Sequence, residues 1–347
     1  MNITRIGLDL AKNVLQVHGV DERGKALLRK RLKRGEVVGF FARLSPCLIG
    51  MEACGSAHHW ARELAALGHT VRLMAPQFVK PYVKANKSDA RDAEAICEAV
   101  GRPSMRFVPV KTLEQQSVLS LHRARQGFVA ARTAQANQIR GLLSEFGIVI
   151  AKGIRQIEGR VPEILEEAEN GLCGMNRALF QRLFEHFRQL DRQVKQLEEQ
   201  IHAWHREQVD SRRLAGIPGI GPLTASALTA AIGNAREFAN ARQLAAWLGL
   251  VPRQASSGGK DRLLGISKRG DVSLRTLLIH GARSVLRRTR ACPDPAQGWL
   301  AQLVHRRNPN VAAVALANKN ARIVWALLAH GREYQPGYVG ARLPTAA

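Results

Sequence analysis

Ile3-Thr-Arg-Ile-Gly-Leu-Asp-Leu10 opens the chain as a short apolar run that closes on a carboxylate, Asp9. Alternating, β-branched-rich residues of this length predict a strand. Val14–Val20 and Ala26–Leu32 continue it as an antiparallel meander, with Asp21-Glu-Arg-Gly24 as the turn. A helical stretch, Val37–Leu44, then leads into a short buried strand, Cys47–Met51, which closes on a second carboxylate, Glu52. Ser56–Leu67 predicts a helix stopped by Gly68, Val71–Met74 another strand, and Pro76 the first turn of a further helix. Three leading strands followed by alternating helices and strands specify a mixed sheet covered by helices.

That order is similar to the RNase H-like fold, in which carboxylates at strand ends and helix starts converge. Two more acids stand in the expected place. Asp89 and Asp92 lie three apart in Lys87-Ser-Asp-Ala-Arg-Asp-Ala-Glu94, at the start of a predicted helix, and so share one face. Each acid alone also reads as a strand-end turn residue or a helix-start residue favoured by the dipole. The four together, in this strand–strand–helix order, form a set able to hold a hard divalent cation through oxygen ligands.

The rest of the chain is strongly basic: 52 Lys and Arg against 28 Asp and Glu give a net charge of +24 over 347 residues. The partner of such a surface is a polyanion, most simply DNA or RNA, bound through phosphate neutralisation. A basic membrane-surface protein needs an amphipathic basic helix at a terminus, and none is evident. The start of the sequence enters a strand at once, with no room for a signal peptide, and no apolar run approaches a membrane span. Five scattered cysteines without a CxxC pair read as reduced packing residues of a cytoplasmic protein and argue against zinc.

From Thr112 to about Phe146 the pattern becomes helical and basic. A second helical segment, about Met175 to Val209, carries Leu183, Phe187, Leu190, Val194, Leu197, Ile201 and Trp204 at heptad spacing. This seam predicts a coiled coil or a long helical hairpin, and it does not distinguish a dimer from an intramolecular pair. Gly216-Ile-Pro-Gly-Ile-Gly221 then enters an Ala-rich helix and fits a helix-hairpin-helix. There Gly219 and Gly221 would let backbone N–H groups approach a phosphate.

Pro252–Gly270 is a Gly-, Ser- and Arg-rich loop in which Ser256 and Ser257 are ringed by Arg253, Lys260, Arg262, Lys268 and Arg269. From composition alone a phosphate-binding loop is favoured over a nucleophile, since a serine hydroxyl attacks only when its proton is taken. The five tryptophans read as helix-packing residues. Aromatic content of 5% argues against a base-stacking platform of the RRM type, and no nucleotide-binding loop is present.

Gly7-Leu-Asp-Leu-Ala-Lys12, Met51-Glu52, Lys87-Ser-Asp-Ala-Arg-Asp92, Pro218-Gly-Ile-Gly-Pro-Leu-Thr224 and Ser256-Ser-Gly-Gly…Gly265-Ile-Ser-Lys-Arg-Gly270 occur together and in order. In combination they make the chain, from residue 3 to about 330, resemble the DEDD-type insertion-sequence transposases. That family is related to Piv invertases and includes bridge-RNA-guided serine recombinases. The resemblance implies an α/β plus α architecture: a RuvC-like (RNase H-like) DEDD domain over 1–105 and a helical, coiled-coil connector over 106–210. A mainly α C-terminal transposase domain with the helix-hairpin-helix and the serine loop would follow over 211–335, and a tail over 336–347.

It further implies Mg²⁺ held by Asp9, Glu52, Asp89 and Asp92, and a covalent phosphoserine link formed by Ser256, or less readily Ser257. Donor and target DNA, a guiding bridge RNA and a homo-dimer or tetramer are the implied partners, with no membrane. Two rivals share parts of this pattern. A RuvC-like junction nuclease using water needs the carboxylates but not the serine, and a nucleic-acid scaffold needs neither.

Overall fold

A computed structural model describes residues 2–84, 88–291 and 298–337; Lys87, Cys292 and the tail from 338 lie outside them. The chain divides into two compact units, Met1–Leu113 and Glu114–Ala347.

The first unit is built on a six-stranded sheet. Its strands are β1 (Arg5–Leu10), β2 (Val14–Val20), β3 (Ala26–Lys33), β4 (Leu48–Glu52), β5 (Thr70–Met74) and β6 (Phe107–Val108), in the order β3-β2-β1-β4-β5-β6. The meander β1-β2-β3 is antiparallel, β4 and β5 run parallel to β1, and β6 returns antiparallel. This is the mixed sheet expected of a RuvC-like domain. The edge strand β6, only two residues long, was not legible in the sequence.

One face of the sheet packs Ile6, Leu8, Leu15, Val17, Ile49 and Met51 against α1 (Val37–Phe41) and α2 (Ala57–Ala66) through Phe41, Trp60 and Leu64. Past the short α3 (Pro76–Val79), α4 (Asp89–Val100) covers the other face.

The second unit is helical. The long α5 (Leu113–Ser144) and α7 (Gly174–Glu207) run antiparallel, as their pairs show: Glu114 accepts from Trp204 Nε1 at 2.6 Å, Arg125 Nε donates to Glu198 at 2.8 Å, Arg132 pairs with Asp191, and Gln135 meets His186 at 2.9 Å. The two helices thus pair within the chain, and of the α7 seam Phe187 packs in one core with Ala136 and Ile139 of α5. Between them α6 (Ile154–Glu166), hidden in the sequence by an internal proline, buries Ile157, Val161 and Ile164 against Phe180, Phe184 and Phe187.

The remainder forms one core from α8 (Val209–Ala215), α9 (Pro222–Ile232), α10 (Ala241–Trp247), α11 (Val272–Ala291), α12 (Gly298–Arg306) and α13 (Pro309–His330), with a hairpin of β7 (Pro252–Gln254) and β8 (Leu263–Ile266). At 22 residues and a mean hydropathy of 1.3, α13 is long and apolar enough to cross a membrane, a run not expected from the sequence. Lys319 and Arg322 interrupt it, and Ala313, Leu316, Ala317, Ala321 and Val324 pack into the core.

Inside this unit His122 of α5 meets the Ser226 hydroxyl of α9 at 3.1 Å, and that hydroxyl donates to Pro222 O at 2.8 Å. With that proton committed to Pro222 O, the imidazole is the donor to Ser226. Burial first, and then the nearby Arg125, push its pKa down from 6.5 to about 4. Unfolded, the ring takes up a proton below about 6.5, whereas folded it does so only near 4. Stability therefore falls as pH drops between those values and levels off below. We expect His122→Gln to remove on the order of 2–3 kcal/mol of the stability difference between pH 7.5 and pH 4.5, measured as urea unfolding of both proteins at the two pH values.

Candidate catalytic site

Successive side chains of a strand point to opposite faces. With Ile6 and Leu8 committed to the α1–α2 core, Gly7 and Asp9 face α4. With Ile49 and Met51 committed likewise, Gly50 and Glu52 face it too. Gly7 and Gly50 are register partners on adjacent parallel strands. A Cβ on Gly7 would collide with Ala93 O and Cys97 N of α4 and lie 2.8 Å from Cys97 Cβ, and one on Gly50 would lie 2.7 Å from Val100 Cβ. The helix axis sits close on the sheet because both positions lack a side chain.

Ser88 caps α4 by accepting from Arg91 N, and the acids of its first turn, Asp89 and Asp92, suit the positive end of the helix dipole. The close seat of α4 brings them to the end of β1. One carboxylate oxygen from each of Asp9, Asp89 and Asp92 lies within 4.8 Å of the other two. Glu52 lies outside that trio, at the end of β4 beside the end of β1. Both Asp9 and Glu52 act on the Cys54 thiol, whose pKa is raised by desolvation first and then by these two carboxylates. Three hard oxygen donors at this separation, open to solvent on one side, fit a divalent cation that retains waters.

The serine segment is a β-hairpin rather than a loop. Gly258 and Gly259, with φ of 54° and 75°, form its two-residue turn between Ser257 and Lys260, a conformation that glycine adopts without strain. The hairpin brings Asp261 back beside Ser256. The Ser256 hydroxyl donates to Asp261 Oδ1 at 2.9 Å and accepts from Gln254 Nε2 at 2.8 Å, while Gln254 also holds Asp261 at 3.1 Å. Nothing in the sequence spacing marked Asp261, because its proximity depends on the register of the turn. Ser257, one residue on, is the last bridged position before the turn. Arg253, Lys260, Arg262, Lys268 and Arg269 are all exposed around this hairpin.

In the glycine turn between α8 and α9, Gly219 has φ of 89°, and a Cβ there would lie 2.9 Å from Gly281 O on α11. Its size is demanded by packing. Gly221 is the N-cap of α9, with open space where a Cβ would be.

Residues 6–148 match a family model of IS110 DEDD elements described as "Transposase", and residues 211–296 match one described as "Transposase IS116/IS110/IS902 family". The chain is 55% identical to a "Probable family 20 transposase" of Pseudomonas aeruginosa, over 97% of its own length and all of the relative's. It is 46% identical to the "Transposase for insertion sequence element IS1111A" of Coxiella burnetii, over 97% of this chain and 92% of that one. With the corresponding IS1328 transposase of Yersinia enterocolitica it shares 43% identity over 95% and 98%. The chain belongs to the IS110/IS116 family of DEDD transposases.

This transposase is therefore an enzyme of DNA cleavage and rejoining, DNA is its partner, and its DEDD domain points to a divalent metal. Asp9, Asp89 and Asp92 supply a donor set that fits such an ion. In the full transposase, Mn²⁺ binding followed by electron paramagnetic resonance should weaken at least about 10-fold in Asp92→Asn. Gly7→Ala, which touches no ion, should weaken it as well and cost about 1–3 kcal/mol of stability by overpacking. Unaltered Mn²⁺ affinity in Gly7→Ala would show that the seat of α4 does not set the carboxylate trio.

Proposed function

We propose that the transposase cleaves and exchanges DNA strands through a covalent phosphoserine intermediate at Ser256, with Mg²⁺ held by Asp9, Glu52, Asp89 and Asp92. The observation that supports this most is the Ser256–Asp261 hydrogen bond in a solvent-facing hairpin surrounded by cations. A hydroxyl becomes a competent nucleophile when an adjacent base takes its proton. Ser256 Oγ attacks the scissile phosphorus and its proton passes to Asp261; the bond to one deoxyribose oxygen breaks, that oxygen leaves with the bonding pair and takes a proton from solvent, and a Ser256–phosphate ester forms. Attack by a deoxyribose hydroxyl of another strand reverses the chemistry and reseals the backbone, so the phosphodiester energy is conserved. Asp9, Glu52, Asp89 and Asp92 would hold Mg²⁺, which when bound would supply charge stabilisation at the phosphate. Arg253, Lys260, Arg262, Lys268 and Arg269 hold the surrounding backbone, and Gly219 and Gly221 of the helix-hairpin-helix turn position it without reading sequence.

Sequence choice in this proposal comes from a bridge RNA paired with donor and target DNA, the protein contributing backbone contacts. The division into a RuvC-like domain (1–105), a coiled-coil connector (106–210) and a transposase domain (211–335) serves an assembly of two or four chains. In it the carboxylates of one protomer complete a site with the serine of another. The second reading, a RuvC-like nuclease that activates water, draws on the carboxylate trio and has no use for the hairpin.

Ser256→Ala should abolish the covalent protein–DNA species trapped on a nicked suicide substrate, while Ser257→Ala retains it. Asp261→Asn, which still accepts a hydrogen bond but takes a proton poorly, should slow its formation about 100-fold or more. Undiminished cleavage in the Ser256→Ala, Ser257→Ala double variant would establish the water-dependent nuclease instead. For the shared site, a mixture of Asp9→Asn and Ser256→Ala proteins should regain strand exchange that neither performs alone, read by product formation in a verified hetero-oligomer.

A further inference from the structure

A groove of about 1020 Å³ runs between the β7–β8 hairpin and α13, roofed by the start of α12. Its walls are apolar: Leu264 and Ile266 of β8, Val311 of α13, and the indoles of Trp299 and Trp325. The two indoles are held differently. Trp325 Nε1 donates to both Ala235 O and Phe238 O at 3.1 Å, which fixes the ring as a rigid wall. Trp299 keeps 42% of its surface in solvent, with the Lys319 ammonium 4.6 Å from its ring centroid. An indole left this open on a globular unit gives up burial that a packing residue would take.

The charged residues lining the groove are Lys319 and Arg322, both cationic and both exposed on α13; no acid lines it among the described residues. An apolar floor with an open aromatic face, edged by positive charge alone, is complementary to one class of ligand. That ligand has flat, uncharged rings on an anionic string. Stacked bases within a duplex do not offer their faces, whereas a single strand does.

We infer that this groove binds single-stranded nucleic acid, with an unstacked base on Trp299 and the adjoining phosphates on Lys319 and Arg322. Lys319 Nζ lies over the ring, 4.6 Å from its centroid, so a base takes that face by displacing the ammonium, which then reaches the adjoining phosphate. The groove shares strand β8 with the hairpin that carries Ser256, which puts the bound strand beside the segment of the chain that enters the chemistry. Base identity matters little, because every base has a π-face. The inference does not depend on which hydroxyl is the nucleophile.

The test uses the full-length transposase without divalent metal, at one fixed salt concentration, and a short labelled DNA single strand alongside the duplex of the same sequence. Trp299→Ala should weaken single-strand binding about 5- to 100-fold, the range that loss of one base–aromatic stack spans, and change duplex affinity less than twofold. Trp299→Phe should restore most of it. Lys319→Ala should lower the salt-dependence slope for the single strand by about 0.7, the signature of one lost phosphate contact. Single-strand affinity unchanged in Trp299→Ala overturns the inference. So does an equal loss for single strand and duplex, and so does altered oligomeric state with unaltered binding, which would assign the groove to a second copy of the chain. Ser256→Ala serves as the internal control. Intact single-strand binding there, with no covalent species, separates this site from the proposed nucleophile, so either can fail alone.

Discussion

Everything chemical in the first unit depends on how closely α4 can lie on the sheet. Gly7 and Gly50 stand side by side on β1 and β4, and the space a methyl group would fill is taken by the backbone of Ala93 and Cys97 and by Val100. An ordinary strand pair would hold the helix farther off, and its first turn would then overshoot or fall short of the strand ends. Seated this closely, α4 delivers Asp89 and Asp92 to Asp9, with the helix dipole favouring the added negative charge. The remaining repulsion among three carboxylates is what a bound cation relieves. The interaction that places the carboxylate trio is thus a packing contact of two strand glycines against a helix.

In the second unit the corresponding device is a turn. Gly258 and Gly259 reverse the chain in two residues, and the register they impose places Asp261 opposite Ser256. Had the turn been one residue longer, the side-chain alternation would have offered Asp261 to the other face. Gln254 closes the arrangement by donating to both partners, so hydroxyl and carboxylate are held by a third residue as well as by each other.

The sequence displayed the strands of the first unit because their hydrophobic alternation is local. It displayed the acids because they terminate those runs. Asp89 and Asp92 could be read as partners from helix periodicity, and Asp9 with them from the order of elements. What Gly7 does was not legible, since nothing along the chain says which helix crosses a strand glycine. Asp261 was missed for the same reason at shorter range: it is five residues from Ser256, and only the turn makes them neighbours. The heptad seam of α7 was visible, but its partner α5 was not, as the pairing rests on Arg125–Glu198 and Arg132–Asp191, far apart in sequence. Trp299 looked like the other tryptophans because residue type and helical position do not reveal exposure.

These two devices have a consequence for the proposed reaction. A hydroxyl that brings its own proton acceptor does not need one from the body that holds the metal. A carboxylate trio assembled by its own helix and strand does not need a ligand from the body that holds the serine. In the proposed reaction each unit brings its own half of the chemistry to the DNA phosphate.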